Sequence, residues 1–328
     1  MKTFEFSHAE TVDQAVAAVL ASGGKYLAGG TNLLDLMKGG VESPSALVDL
    51  RRLGMRDICS TESGGVLIGA GATNSALANH PLIRTQYPVL SQAILSGATT
   101  QLRNMATAGG NLLQRTRCPY FMQTSFSECN KRLPGSGCAA RAGFHREHAI
   151  FGASDSCIAI HPSDMAIALA ILEAMVHVHG PDGQRTITLA DFFALPGDTP
   201  QVDNTLRNGE LVTGIELPPS PFAEHSWYLK VRDRHSYAFA LVSVAAGLQL
   251  RDGVIVAAGL ALGGVAAMPW RLREAEKELV GRTPDAHAFH AAAELALEGA
   301  QPLPQNSFKV DLGRHSVVRA LTSAAARS

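Results

Sequence analysis

The chain has 328 residues, 46 % of them hydrophobic and 17 % charged, with a net charge of −1. That length exceeds one small core and predicts two or three domains. The near-neutral balance offers no basic surface for nucleic acid and no acidic tail for a basic partner, and no run approaches the roughly 20 apolar residues that cross a bilayer, so no membrane insertion is expected.

The opening Met1-Lys2-Thr3-Phe4-Glu5-Phe6 alternates polar and apolar, which reads as a strand and not as a signal peptide. A helix is predicted over 11–21, with Val12, Ala15, Val16, Val19 and Leu20 at helical spacing and Gly23-Gly24 closing it. A strand over 25–28 runs into Ala28-Gly29-Gly30-Thr31-Asn32-Leu33-Leu34, a helix follows over 33–38, and 46–50 is a strand. A second unit opens with a strand over 66–70. Helices over 73–79 and 83–95, broken near Pro81 and Pro88, come next, and 101–106 leads into Ala108-Gly109-Gly110-Asn111-Leu112-Leu113. Residues 114–157 carry Pro119, Pro134, Gly135, Gly137 and Gly143 and show little periodicity. A loop this long inside a compact domain is usually functional or disordered, and the cysteines in this one favour function.

Ser163 caps a helix over 164–172. Strands over 175–179 and 186–189 flank the turn Pro181-Asp182-Gly183. A loop spans 196–208, and a strand over 211–217 stops at Pro218-Pro219. Strands over 227–231, 239–250 and 254–262 form an antiparallel meander with a turn at Arg251-Asp252-Gly253. Helices over 270–280, 286–298 and 316–325 complete the chain. The cluster Pro218-Pro219-Pro221 marks a boundary, and the expected divisions are 1–55, 56–218 with the cysteine-rich loop 114–157, and 219–328.

The glycine phrase occurs twice. Glycine lets a ligand approach the main chain, and successive backbone N–H groups in such a turn make an anion site. Two such loops suit a ligand with two phosphates, a dinucleotide. Neither copy has the G-x-G-x-x-G spacing of the doubly wound fold or the Gly-Lys-Ser/Thr of a Walker loop, so a nucleotide would bind through another fold. For either pair alone, an ordinary strand-to-helix turn is the competing reading.

Five cysteines, Cys59, Cys118, Cys129, Cys138 and Cys157, are an odd number, which argues against a disulfide framework. The last four are separated by ten, eight and eighteen residues. Zinc sites normally show tight cysteine pairs and ferredoxins show C-x₂-C runs, so the spacing alone is not diagnostic. A Gly- and Pro-rich loop can wrap an iron–sulfur cubane and aim N–H groups at its sulfurs, and Arg115, Arg117, Lys131, Arg132 and Arg141 would add positive charge around it. Free thiols or zinc are the alternatives. Cys59 reads as a buried structural thiol. His145-Arg146-Glu147-His148 lacks the spacing of H-E-x-x-H and reads as surface or as support behind ligands. No Ser-His-Asp or paired-carboxylate set is present, so no catalytic acid or base is expected.

Tyr26-Leu27-Ala28-Gly29-Gly30-Thr31-Asn32-Leu33-Leu34 resembles the first FAD loop of the molybdenum hydroxylase flavin subunits, the xanthine dehydrogenase family, and Arg103-Asn104-Met105-Ala106-Thr107-Ala108-Gly109-Gly110-Asn111 resembles the second. His161-Pro162-Ser163-Asp164, Tyr228-Leu229-Lys230-Val231-Arg232, and Gly263-Gly264-Val265 followed by Pro269-Trp270-Arg271 fit the same family in order. The likeness covers nearly the whole chain and is strongest to the aldehyde oxidoreductase type.

The resemblance implies an α+β fold: two FAD-binding subdomains of the vanillyl-alcohol oxidase type and a C-terminal α+β domain, an antiparallel sheet with helices. It implies that Tyr26, Leu27, Ala28, Gly29, Gly30, Thr31, Asn32, Leu33 and Leu34 wrap the FAD pyrophosphate. Thr107, Gly110 and Asn111 would meet the phosphate or ribityl region. Asp164 would accept a charge-assisted bond from a sugar hydroxyl, and Lys230 would stand near the isoalloxazine and tune its potential. It further implies a [4Fe–4S] cluster on Cys118, Cys129, Cys138 and Cys157.

The implied function is electron transfer in a molybdenum-dependent aldehyde oxidoreductase. A large molybdenum-cofactor subunit would oxidise the aldehyde, a small subunit would carry [2Fe–2S] clusters, and FAD would pass electrons to an external acceptor. The expected location is the periplasm, reached by co-export with a signal-bearing partner, or otherwise the cytoplasm. The competing functions are a free-standing flavoprotein oxidoreductase of the same fold and a non-enzymatic, zinc-stapled ligand-binding protein.

Overall fold

A computed structural model describes residues 2–327, which build three sheets. β1 (Glu5–His8), α1 (Val12–Ser22), β2 (Lys25–Leu27), α2 (Leu33–Lys38) and β3 (Ala46–Asp49) form a small parallel sheet of order β1-β3-β2. Thr11 starts α1 by accepting from the Gln14 amide, and Gly23, at φ +61°, ends it in the left-handed region. Ala15 and Val19 turn inward against Val48, which fixes the helix on the sheet.

The second unit runs β4 (Ile58–Ser60), β5 (Val66–Gly69), α3 (Asn74–Asn79), α4 (Pro81–Gln86), α5 (Pro88–Ser96), α6 (Thr100–Met105), α7 (Ala108–Leu112), α8 (Pro119–Met122), α9 (Ala139–Ala142), α10 (Asp164–Ile171), β6 (Met175–Gly180), β7 (Gly183–Thr188), α11 (Leu189–Phe192) and β8 (Leu211–Leu217). Its strands form an antiparallel sheet of order β4-β5-β8-β6-β7. The third unit has β9 (His225–Val231), β10 (Val242–Arg251), β11 (Val254–Gly263) and β12 (Trp270–Arg271), antiparallel in the order β12-β11-β10-β9. α12 (Arg273–Leu279), α13 (Ala286–Ala296) and α14 (Phe308–Ala325) pack on it.

α10 joins the second and third units. Its sequence is apolar on every side after Asp164, the pattern of a helix meant for the interior. Ile167 and Ile171 lie against Gly263 and Gly259 of β11, where a side chain would collide with them. One hydrophobic core consequently runs from Val66 and Ile68 through α10 to Tyr228, Ala245 and Ala261 of the third sheet. Asp164, the first residue of this helix, is placed by that packing.

Four expectations change. The second glycine phrase is not a loop but the body of α7. The helix expected over 270–280 begins as strand β12, paired with Ala261 and Leu262, because Trp270 stacks on Phe151 with ring centroids 5.0 Å apart. Cys59 is exposed on the edge strand β4 and is not a buried thiol. The last helix begins at Phe308 and not at 316, although Lys309, Asp311, Gly313 and Arg314 interrupt its apolar spacing. Lys309 is buried there (0 % exposed) because its Nζ donates to the carbonyls of Glu147, His148 and Gly264 at 2.9, 2.9 and 2.8 Å. Lys309→Met would leave the Glu147 and Gly264 carbonyls without their donor, while the His148 carbonyl keeps Asn306 Nδ2. The expected cost is about 3 kcal/mol, seen as a lower urea midpoint; an unchanged midpoint contradicts this account of α14.

Candidate functional site: a flavin cleft beside a cysteine nest

The first glycine loop leaves β2 in an open turn. Gly30 adopts φ +73°, and a Cβ on Gly29 would lie 1.9 Å from the Met105 carbonyl oxygen, so the loop backbone lies directly on the end of α6. Among the described residues, the N–H groups of 28–32 donate to no acceptor in the protein. A run of free amides in such a turn is a ready anion site. Tyr26 donates its hydroxyl to the Gly209 carbonyl at 2.7 Å, and burial pushes its phenol up to about 12. Asn32 accepts from the Arg115 amide at 2.9 Å, while its Nδ2 is buried with no partner.

The second copy uses its backbone differently. Ala108 and Gly109 donate to the carbonyls of Ala72 and Ala70, and Gly110 and Asn111 donate to the hydroxyl and carbonyl of Thr107. Its amides are spent on capping α7 and fastening it to the end of β5. The expectation of two equivalent phosphate cradles is therefore replaced by one backbone cradle and one helix start that offers side chains. Asn111 Oδ1 accepts from Ser163 Oγ at 2.6 Å and from Gln114 Nε2 at 2.8 Å.

Between these segments runs a cleft in two parts. A cavity of about 650 Å³ is lined by residues 26–33, Thr107, Gly110 and Arg115. A second of about 790 Å³ is lined by Asn111, Arg117, Asp164, Lys230, Tyr237 and Phe239 among others, and the two share Thr31, Asn32 and Gly110. Every expected flavin-contacting residue lines one part or the other except Leu34, whose side chain lies over Gly30. Arg115 Nη2, Arg117 Nη1 and Asn74 Oδ1 are also buried without partners. An elongated cleft with free amides near one end and orphaned donors along its walls fits a long, phosphate-bearing ligand.

Asp164 and Lys230, expected to act separately, form a buried ion pair at 2.7 Å, with side chains 10 % and 3 % exposed. Tyr228 donates its hydroxyl to the other carboxylate oxygen at 2.7 Å. Burial, with the adjacent Asp164 charge adding to it, pushes the Tyr228 phenol well above its usual range, so it acts as a donor.

The loop over 114–157 folds back and brings its four cysteines near one another, all of them free thiols. Cys129 and Cys138 face each other across an isolated antiparallel bridge. Burial pushes the Cys118 thiol up to about 12, and Cys157 and Cys129 push the same way, while the amides of Phe121 and Met122 donate to the Cys118 carbonyl at 3.0 and 2.9 Å. Cys157 is raised by burial, opposed by Lys131, and raised further by Cys138 and Cys129. The Ala159 amide donates to Cys157 Sγ at 3.5 Å.

Thiolates sharing one zinc stand about 4 Å apart. Among the described residues no three His, Cys, Asp or Glu side chains converge on a single ion.

The cations expected around the cysteines mostly tie the loop. Arg132 donates to the carbonyls of Phe121, Gln123 and Phe126, Arg141 pairs with Asp155, and Lys131 and Arg115 both pair with Asp203. His145 and His148 are buried and not on the surface. His148 Nε2 lies 3.1 Å from Cys118 Sγ, and burial, with Lys309 and His145 acting the same way, holds its pKa down to about 4. Sequence spacing missed this contact because no ligand-pair pattern links 118 to 148.

Residues 2–220 match the family model described as the FAD binding domain in molybdopterin dehydrogenase, and residues 227–324 match the CO dehydrogenase flavoprotein C-terminal domain. The chain is 48 % identical over 330 residues to the aldehyde oxidoreductase FAD-binding subunit PaoB of Escherichia coli (strain K12), with all of both chains covered. It is 27 % identical to the carbon monoxide dehydrogenase medium chain of Afipia carboxidovorans, covering 90 % of this chain and 85 % of that one. A solved CO dehydrogenase from Oligotropha carboxidovorans superposes with a TM-score of 0.78 at 24 % identity, over 100 % of this chain and 99 % of that one, which shows the shared fold.

Two substitutions test the cleft. Gly29→Ala forces the loop off Met105, and the purified protein is expected to lose most of its bound flavin; full flavin content would contradict the cradle. Asp164→Ala leaves Lys230 buried without a counter-charge, at a cost of about 3 kcal/mol, read as a lower thermal midpoint; an unmoved midpoint would show that the pair is not buried as described.

Proposed function

This chain belongs to the FAD-binding subunits of the molybdenum hydroxylase family, oxidoreductases of the xanthine dehydrogenase and CO dehydrogenase kind, and from that premise we propose that it is the electron-transfer subunit of a molybdenum-dependent aldehyde oxidoreductase. Its 48 % identity to the aldehyde oxidoreductase subunit favours aldehydes over carbon monoxide as the substrate class. In this reading a large molybdenum-cofactor partner chooses the aldehyde and a small partner carries [2Fe–2S] clusters. Bound FAD supplies a centre that takes electrons singly and gives them to an external acceptor singly or in pairs.

The observation that carries the FAD site is the run of unpaired amides over 28–32. They would hold the pyrophosphate, with Asn32 Nδ2 and Arg115 Nη2 as further donors. Thr107, Gly110 and Asn111 would line the phosphate and ribityl region. Asp164, fixed by Lys230 and Tyr228, would meet a sugar hydroxyl, and the Lys230 charge would bear on the ring. The chain needs no acid or base of its own, because the substrate bond is broken on another subunit.

The finer part of the proposal is a [4Fe–4S] cluster on Cys118, Cys129, Cys138 and Cys157. The burial of Cys129 and Cys157, the Ala159 amide on Cys157 Sγ at 3.5 Å and His148 Nε2 at 3.1 Å from Cys118 Sγ support it, and such a cluster supplies a one-electron site. The divisions 1–55, 56–218 and 219–328, and a periplasmic location by export with a signal-bearing partner, belong to the same proposal. Cys129→Ser is expected to remove about four irons per chain while FAD stays. Unchanged iron overturns the ligand assignment, and stoichiometric zinc in the wild-type protein favours the stapled alternative.

A further inference from the structure

His148 has no part in the reading above. It is buried on the inner side of the cysteine loop, 3.1 Å from Cys118 Sγ through Nε2. Its backbone is clasped from the third unit: Lys309 Nζ and Asn306 Nδ2 donate to its carbonyl at 2.9 and 3.2 Å. The Tyr120 ring is tilted against it with centroids 6.4 Å apart. Its Nδ1 is buried without a partner among the described residues. Among the described residues, the contact with sulfur is thus the one polar interaction its ring makes. Of the four cysteines, Cys118 alone lines the flavin cleft, and His148 lines the same wall.

We propose that His148 is a positioning residue for electron transfer: it donates an Nε2–H···S hydrogen bond to Cys118 when that sulfur ligates the cluster, and so raises the cluster's reduction potential. The inference rests on the assignment of the four cysteines to a cluster. A ligating thiolate carries no proton, so the ring must be the donor and the proton must sit on Nε2. Reduction of the cluster adds one electron and moves no proton. A hydrogen bond to a ligand sulfur stabilises the more negative, reduced form. The bond lies on the ligand that faces the flavin, where it sets the balance of the electron between the two centres.

The test uses the whole enzyme with its partners and compares wild type, His148→Phe and His148→Gln. Iron and FAD are counted, and the [4Fe–4S] signal is followed by EPR during a redox titration. With iron and FAD retained, His148→Phe is expected to move the cluster midpoint to a more negative value. His148→Gln, which keeps a side-chain N–H at similar reach, moves it back toward wild type, and the flavin midpoint stays in place. An unmoved midpoint in His148→Phe, or equal shifts in both variants, overturns the proposal. A second measurement needs no variant: in ¹⁵N-histidine-labelled wild type, pulsed EPR of the reduced cluster is expected to show a coupled histidine nitrogen, and its absence overturns the proposal even if His148→Phe does not assemble. A wild-type enzyme with no [4Fe–4S] signal at all sinks the cysteine assignment itself, and this inference with it.

Discussion

Arg115 fixes the parts of the site relative to one another. Its amide donates to Asn32 of the first glycine loop, its guanidinium pairs with Glu42 beyond α2 and with Asp203 before β8, and its planar head lies over Phe121 of the cysteine loop. Asp203 is shared with the buried Lys131 of the same loop. Burial drives the Asp203 carboxyl up, but Lys131 and Arg115 outweigh it and hold it below the usual carboxylate range. Partly buried pairs of this kind add little net stability after desolvation. Their effect is geometric: they tie the first glycine loop, the segment after α2, the cysteine loop and the stretch before β8 to one residue on the cleft wall.

That constraint places a cysteine against the flavin cleft. Arg115 lies three residues past the end of α7, and Cys118 comes three residues after that. Whatever holds α7 against the first glycine loop therefore also delivers the first thiol to the cleft wall. On the far side, α10 is locked between two sheets by its apolar surface and by the bare glycines of β11, and it presents Asp164 to the same cleft. Lys309 and Asn306 reach back from the third unit to the loop that carries His148. The flavin cleft and the cysteine nest thus share a rigid wall.

Much of this was legible in the sequence, and the misses have physical causes. Both glycine phrases were visible, but their different use was written in the position of threonine. Thr31 follows its glycines and leaves the amides open, whereas Thr107 precedes its pair and caps a helix with them. The cysteines were legible because they crowd one aperiodic stretch. His148 was not, because its partner lies thirty positions away and the fold alone joins them. The Asp164–Lys230 pair was seen as two separate roles, since sequence gives no distances. The early turns of α14 were hidden by Lys309, a charge that is buried only because three carbonyls from distant segments receive it. The exposure of Cys59 depends on β4 being an edge, which no local pattern states.

The most direct measurement is anomalous scattering at the iron and zinc edges from crystals of the assembled enzyme. The account predicts a multi-iron peak enclosed by Cys118, Cys129, Cys138 and Cys157, with flavin density running from the amides over 28–32 to the Asp164–Lys230 wall. A zinc peak among those thiols, or free thiols beside an occupied flavin cleft, would contradict it.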